Sequence, residues 1–540
     1  MCAEHSSIGE EPAATPSAAA DYSVESAGAA SEARVPSTKT VRLALWAVGL
    51  GAAALQAWAF RRWVNPDAIA YLDIATRFAH GHWGALVNAY WSPMYPFLLG
   101  VAFRMVRPSP YWESTVAHGV KIGLQTLSPD LLLSAFFYLA AGVIARISTS
   151  RGKWSNYVVL GAMTGIGYLA KAILFPLAWV FLGCCFVVLG RPSRAFTRAA
   201  IAVFVFCVIA GPYVWALSHA KGRVTYGDVG KIAYAEFVDG IQRYVHWQGS
   251  PGVAGMPLHP TRLVLANPPV FAFAGLVQGT YPPWDDPSYW YDGVSPRFIL
   301  HDQLLAVRYT IQEYAAMLPY MGVLLAAFLA LLFFAEEPSM TVRNALKKWP
   351  IWVPAIVGLV LYGLLYVESR FVVPFFVVIW AALFAGVSTK ERAEWPSFVR
   401  CWTLAFALTL GSGIIWLAGR ATFRAFQPQP FTAWAAAEGL KAQGIRPGDR
   451  VALIGNALNC YWAHLAGVRI VAEIPLDGRS TFWAAARPVQ ARALEAFVGA
   501  GAKVVVSDER PPTASDPGWH ELAGTEYYLY NLGGVRAGRQ

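Results

Sequence analysis

The stretch Gly167-Tyr168-Leu169-Ala170-Lys171-Ala172-Ile173-Leu174-Phe175-Pro176 sets a single lysine between two apolar runs, 157–170 and 172–190. An ammonium in such a place is expensive unless water or a partner reaches it. The connection is also too short to lie far from a bilayer, so the two runs read as neighbouring membrane spans with Lys171 at their turn. Working outward, similar runs fall at 41–60, 131–147, 199–217, 315–335, 351–367, 371–387 and 402–418. Most approach the roughly twenty residues that cross about 30 Å of hydrocarbon.

Composition supports this reading. With 540 residues, 56% hydrophobic, 14% charged and 22 Trp, the chain is too apolar for a soluble protein of its length. The formal charge of +10 does not point to nucleic acid, because the cations form short clusters between apolar runs and no continuous basic face. The clusters are Arg146, Arg151 and Lys153; Arg191, Arg194 and Arg198; Arg343, Lys347 and Lys348; and Lys390, Arg392 and Arg400. They mark alternate connections, which by the positive-inside rule are cytoplasmic. The loops 61–128 and 219–314, the turns 171–176 and 368–370, and everything after 419 then lie outside. The apolar but short segments 92–106 and 115–127 are either an extra pair of spans or helices in the interface, so nine or eleven spans are expected.

The first forty residues, rich in Ala, Ser, Glu and Pro, read as a disordered cytoplasmic tail, with 41–60 as an uncleaved signal anchor. Six cysteines show neither zinc nor disulfide spacing. From 433 onward the pattern changes. Helix-like 433–443, 461–466 and 489–499 alternate with strand-like 450–454, 468–474, 503–507 and 526–531, which predicts a soluble α/β domain over 420–540 with parallel strands. The run Gly448 to Gly455 is like the first strand of nucleotide-binding folds but lacks G-x-G-x-x-G, and sheet packing accounts for it.

Candidate site residues gather at the expected outer connections. Asp67, in Asn65-Pro66-Asp67-Ala68-Ile69-Ala70-Tyr71-Leu72-Asp73, stands just beyond the first span, either as a base or as a first-turn acid favoured by the helix dipole. Asp73 lies six residues on, about 600° around a helix, so the two do not share a face. Asp130 starts a span in Ser128-Pro129-Asp130-Leu131-Leu132, where capping is the plainer role. Lys171 either snorkels to the interface or meets an anionic lipid phosphate. Arg370, in Glu368-Ser369-Arg370-Phe371, either pairs with Glu368 at the surface or offers its fork to a phosphate diester. The aromatic-rich segments around His246, Trp247, Tyr281 and Trp284 suit an interfacial belt or faces for a sugar, and Tyr71 stands near Asp67 as a further substrate contact. One outward-facing site with a base and two cations would account for Asp67, Asp130, Lys171 and Arg370 together.

At these residues the chain resembles bacterial members of the GT-C glycosyltransferase superfamily, the fold of protein O-mannosyltransferases and lipid A aminoarabinose transferases. The Pro66-Asp67 acid, the Ser128-Pro129-Asp130 span start, the Tyr168-Leu169-Ala170-Lys171 turn and the Arg370-Phe371-Val372-Val373-Pro374 turn recur there in that order, over about 41–387. Thr225-Tyr226-Gly227-Asp228, His246-Trp247-Gln248-Gly249, His259-Pro260-Thr261-Arg262 and Tyr281-Pro282-Pro283-Trp284 are similar to an uncharacterised bacterial group labelled family-39-like glycosyltransferases. Two departures stand out: the usual acidic pair of the first loop is Asp67-Ala68, which counts against a metal there, and 106–131 is short for the usual spans.

The fold class expected is thus an α-helical polytopic membrane protein, GT-C-like with about 9–11 transmembrane helices over 41–419, carrying a C-terminal soluble α/β domain. The resemblance implies an inverting glycosyltransferase in a bacterial inner membrane, with its N-terminus cytoplasmic and its C-terminal domain periplasmic. Its donor would be a polyprenyl-phosphate-linked sugar and its acceptor a glycan, lipid or protein. Asp67 would be the general base, Lys171 and Arg370 would hold the donor phosphate, and no cofactor is required, with a divalent cation left open. The alternatives are a transporter or flippase of lipid-linked saccharide and a catalytically inactive assembly protein.

Overall fold

The computed structural model describes residues 38–121, 127–149, 153–190, 192–241, 246–273, 275, 277–333, 337–387, 395–427, 431–509, 511 and 518–533. The tail expected over the first forty residues lies almost wholly outside them, as do Arg151, Arg191, Lys390 and Arg392 of the basic clusters. The chain divides into two compact units, Met1–Gly49 and Leu50–Gln540. The second holds the features described below.

The chain is mostly helical. After α1 (Thr38–Ala59) come α2 (Pro66–Ala79), α3 (Met94–Val106) and α4 (Pro110–Lys121), then four consecutive helices α5 (Asp130–Thr149), α6 (Trp154–Ala170), α7 (Leu174–Leu189) and α8 (Pro192–Lys221). A mostly irregular stretch follows, carrying α9 (Val229–Phe237), strands β1 (Arg262–Ala266) and β2 (Pro269–Ala272), and the single turns α10 (Pro282–Asp285) and α11 (Pro287–Trp290). Helices resume with α12 (Leu300–Met317), α13 (Gly322–Phe333), α14 (Pro338–Lys347), α15 (Trp349–Gly363), α16 (Ser369–Phe384) and α17 (Trp395–Phe426).

Among the described residues three helical stretches, Asp130–Thr149, Phe196–Lys221 and Leu300–Phe333, are long and apolar enough to cross a membrane. The pair α14 and α15, bent by 77°, makes a fourth if counted as one span. Shorter apolar helices are α3, α7 and α16. In the segment read either as extra spans or as interfacial helices, α3 has 13 residues and α4 has 12. At about 1.5 Å per residue each is roughly 20 Å or less, short of a hydrocarbon core.

Close packing between α6 and α8 follows from small residues four apart. A Cβ on Gly161 would meet the Ala202 carbonyl oxygen at 2.3 Å, and one on Gly165 would meet the Ile209 side chain at 3.0 Å. This is the small-xxx-small face that lets two helix backbones approach. Behind it Phe137, Phe181, Phe206 and Phe375 are fully buried in one cluster that joins α5, α7, α8 and α16.

The last part of the chain builds α18 (Thr432–Ala442), β3 (Arg450–Gly455), α19 (Tyr461–Ala466), β4 (Arg469–Pro475), α20 (Leu476–Ala484), α21 (Arg487–Gly499), β5 (Val504–Ser507), β6 (Trp519–Glu521) and β7 (Tyr528–Asn531). The sheet order is β1-β2-β4-β3-β5-β7-β6. The parallel strands foreseen are β4, β3 and β5; β7 closes antiparallel against β5. The unexpected part is the edge: β2 pairs antiparallel with β4, Phe271 opposite Glu473 and Ala272 opposite Ala472. The α/β sheet therefore takes two of its seven strands from the 219–314 segment, across the boundary drawn at 420 from sequence. The segment 61–128 joins it too. Ile69 and Leu72 of α2 share one buried cluster with Trp462 and Leu465 of α19, and Tyr111 of α4 packs edge-on against Trp434 of α18, ring centroids 5.0 Å apart.

Candidate active site

The site grows from helix ends. Pro66 opens α2 and places Asp67 in its first turn, where a carboxylate is favoured by the helix dipole. Asn65, just before it, accepts the Leu127 backbone N–H at 3.0 Å, which ties this helix start to the segment leading into α5. Asp130 is the first residue of α5, and Ser128 Oγ donates to its Oδ2 at 2.6 Å. Lys171 ends α6 and its Nζ pairs with Asp130 Oδ1. Arg370 stands in the first turn of α16. Its Nη1 is 3.5 Å from Asp67 Oδ2 and 3.7 Å from Asp130 Oδ2, and its Nε donates to Glu368 Oε2 at 2.5 Å. The Phe371 ring lies under both cations, 4.0 Å from Lys171 Nζ and 4.7 Å from the Arg370 guanidinium carbon.

Four residues distant in sequence thus meet in one charge cluster, joined by Glu368. Lys171 has a protein partner in Asp130, so it does not depend on lipid alone for neutralisation. Arg370 keeps the expected pair with Glu368 and bridges two further carboxylates as well. Exposure is graded across the cluster: the Asp130 side chain is 5% accessible, Lys171 19%, Asp67 25%, Arg370 30% and Glu368 33%. Asp130 is the most buried member and Glu368 the most exposed. Burial pushes the Asp67 carboxyl up from the usual range, against the opposing pull of Arg370. Among the described residues no group of three or more His, Cys, Asp or Glu is arranged to hold a metal ion.

The other residues singled out from sequence go elsewhere. Asp73 takes partners different from those of Asp67. Thr280 donates to it through N–H at 2.7 Å and Oγ1 at 2.9 Å. His464 of α19 bridges Asp73 Oδ1 at 2.7 Å and Glu113 Oε2 at 2.8 Å. Burial works to lower the His464 pKa, yet the two carboxylates outweigh it and hold the imidazole up at about 10. A buried imidazolium therefore clamps the C-terminal segment to α2 and α4.

His246 is buried against Glu473: its Nε2 pairs with Glu473 Oε1, the oxygen that also accepts from Tyr281 OH at 2.6 Å. Its ring stacks on Phe271 at 4.2 Å. Trp247 stacks on Tyr291 at 5.7 Å. Trp284 packs edge-on against Trp91 at 5.4 Å and accepts that indole's N–H on its carbonyl at 3.0 Å. Tyr71 is wedged between Trp91 and Tyr95, 5.1 Å from each ring. Tyr71, His246, Trp247 and Tyr281 are buried in these contacts, and Trp284 is partly exposed. Glu113 and His464 were missed from sequence, since a partnership across 351 residues leaves no local signal.

No protein-family model matches the chain, and no curated protein or solved structure matches it significantly.

Proposed function

We propose that the protein is an inverting glycosyltransferase of GT-C type, a polytopic protein of nine or eleven spans in a bacterial inner membrane. It moves a sugar from a polyprenyl phosphate to an acceptor hydroxyl on the non-cytoplasmic side. The observation that carries this reading is the meeting of a partly open acid, Asp67, with two cations, Lys171 and Arg370, at the ends of apolar helices.

In the proposed step the acceptor oxygen attacks the anomeric carbon as Asp67 takes its proton, and the bond to the phosphate oxygen breaks with its electron pair leaving on the phosphate. Inversion follows from this single displacement. Phosphate is a good leaving group, so the second carboxylic acid of a glycosidase is not needed. Charge favours the same direction. Three carboxylates, Asp67, Asp130 and Glu368, face two cations, Lys171 and Arg370, so the resting cluster has carboxylate to spare. Protonation of Asp67 removes one negative charge and frees part of Arg370 for the departing phosphate. The raised proton affinity of Asp67 suits it to this task.

The test is transfer from a radiolabelled sugar-lipid by purified protein, beside binding of farnesyl phosphate. Asp67→Asn is expected to lower turnover by roughly 10²- to 10⁴-fold with farnesyl phosphate still bound. Arg370→Ala is expected to weaken that binding. Transfer by Asp67→Asn at the wild-type rate removes Asp67 as base, and movement of the lipid across the bilayer without transfer would make the protein a flippase.

A further inference from the structure

A cleft of about 430 Å³ opens between the end of α9, the first turns of α12 and the connection from α15 to α16, lined by Phe237, Val238, Asp302, Leu305, Tyr309 and Tyr366 among others. Its size falls in the range of small-molecule sites. We propose that this cleft binds the acceptor of the reaction proposed above, as an uncharged, hydroxyl-bearing head group on an apolar stem. The inference rests on that reading for its name as acceptor site.

The chemistry of the walls argues for such an occupant. Asp302 is the one charged residue among those lining the cleft. The Asp302 carboxylate can accept from a hydroxyl donor, and no cation stands among the lining residues to hold a phosphate. The lipid phosphate is thereby directed to Lys171 and Arg370.

The stem has its own track. Asp302, Leu305, Ala306 and Tyr309 follow one another at helical spacing on a single face of α12, which puts the carboxylate at one end and the apolar side chains over about 10 Å beyond it. That helix begins the apolar stretch Leu300–Phe333, none of whose most apolar part is buried inside the protein. Beside the cleft Leu300, Leu304, Leu305 and Tyr309 are exposed, an apolar approach along which the stem of an amphiphile can enter. The far wall is Tyr366, stacked on Phe237 at 4.1 Å. Tyr366 OH donates to Glu368 at 2.9 Å, and Glu368 pairs with Arg370, so the cleft wall leads by hydrogen bonds to the charge cluster.

The full chain in lipid nanodiscs is labelled with two photoreactive probes that share a diazirine-bearing octyl stem, one ending in β-D-glucoside and one in phosphate. The glucoside is expected to cross-link peptides containing 302–309 and 365–366, and the phosphate those containing Lys171 and Arg370. Leu305→Trp, at a half-exposed position, and Ala306→Trp should each cut glucoside labelling of the cleft about tenfold, the loss of one good contact. Asp302→Asn should lower it less. Thermal unfolding of each variant checks that it is folded. Equal labelling of the cleft by both probes, or glucoside labelling unchanged in both tryptophan variants, overturns the proposal. Glucoside in the cleft with no phosphate label at Lys171 or Arg370 leaves the site standing and removes the transferase reading.

Discussion

Replacing His464 by glutamine tests how the C-terminal segment is held. In the native protein the ring lies between Asp73 and Glu113, at 2.7 and 2.8 Å, with all three side chains less than a tenth exposed. Without the imidazolium, Asp73 keeps its two bonds from Thr280. Glu113 is left with Thr76 Oγ1, 3.4 Å from each of its oxygens. Breaking a buried charge pair by removing one member costs about 3–5 kcal/mol, which corresponds to roughly 10²- to 10⁴-fold in the opening equilibrium. Because the folded pKa is raised, from 6.5 to about 10, the stabilisation is complete below about pH 6.5 and is lost as pH rises toward 10. The readout is the protease susceptibility of the interface in nanodiscs as a function of pH, which follows the open population when closing is fast. Wild type should become more susceptible between pH 6.5 and 10, and His464→Gln should be more susceptible throughout and nearly flat over that window. A variant as resistant as wild type at pH 7, with the same alkaline slope, refutes the clamp.

Asp73→Asn should weaken the same docking by about 1–3 kcal/mol, the cost of an imperfectly satisfied buried bond, seen in the same protease assay. Gly161→Leu should separate α6 from α8, where the Ala202 carbonyl leaves no room for even a Cβ, and lower thermal stability; an unchanged unfolding temperature would deny that contact. Deletion of residues 431–540 strips β4 from the edge of β2 and His464 from its acids, so the truncated chain should aggregate or be degraded. Recovery of a folded truncation that binds farnesyl phosphate would show that the core stands without the sheet.

Much of this was legible from short-range pattern. Buried parallel strands read as apolar runs, so β3, β4 and β5 fell within two residues of their expected bounds. The charge cluster was legible because a lone lysine or acid at the end of an apolar run stands out against its surroundings. The β1–β2 hairpin was hidden because Pro268 and Pro269 interrupt its pattern, and proline argues against a strand unless it lies at an edge. The partners of the aromatic segments were hidden for a related reason. Density of Trp and Tyr looks the same whether the rings face a ligand or one another, and only the partners, such as Tyr291 beneath Trp247, decide between them.

If the apolar helices cross a bilayer, the hairpin that completes the sheet also sets a rule for the path of the chain. Residues 262–272 and 469–475 are hydrogen-bonded neighbours, and Asp73 and Glu113 touch His464 directly. Whatever the number of crossings, these three stretches must emerge into the same compartment. The chain must therefore cross an even number of times between Glu113 and Arg262, and again an even number between Ala272 and Arg450. The four helices α5 to α8 satisfy the first condition if each crosses. The second is met when α12 with α13, the bent pair α14 and α15, α16 and α17 make four. A sheet edge thus constrains the parity of the membrane path without reference to any loop charge, and the hairpin must wait for nearly two hundred further residues before its partner strand exists.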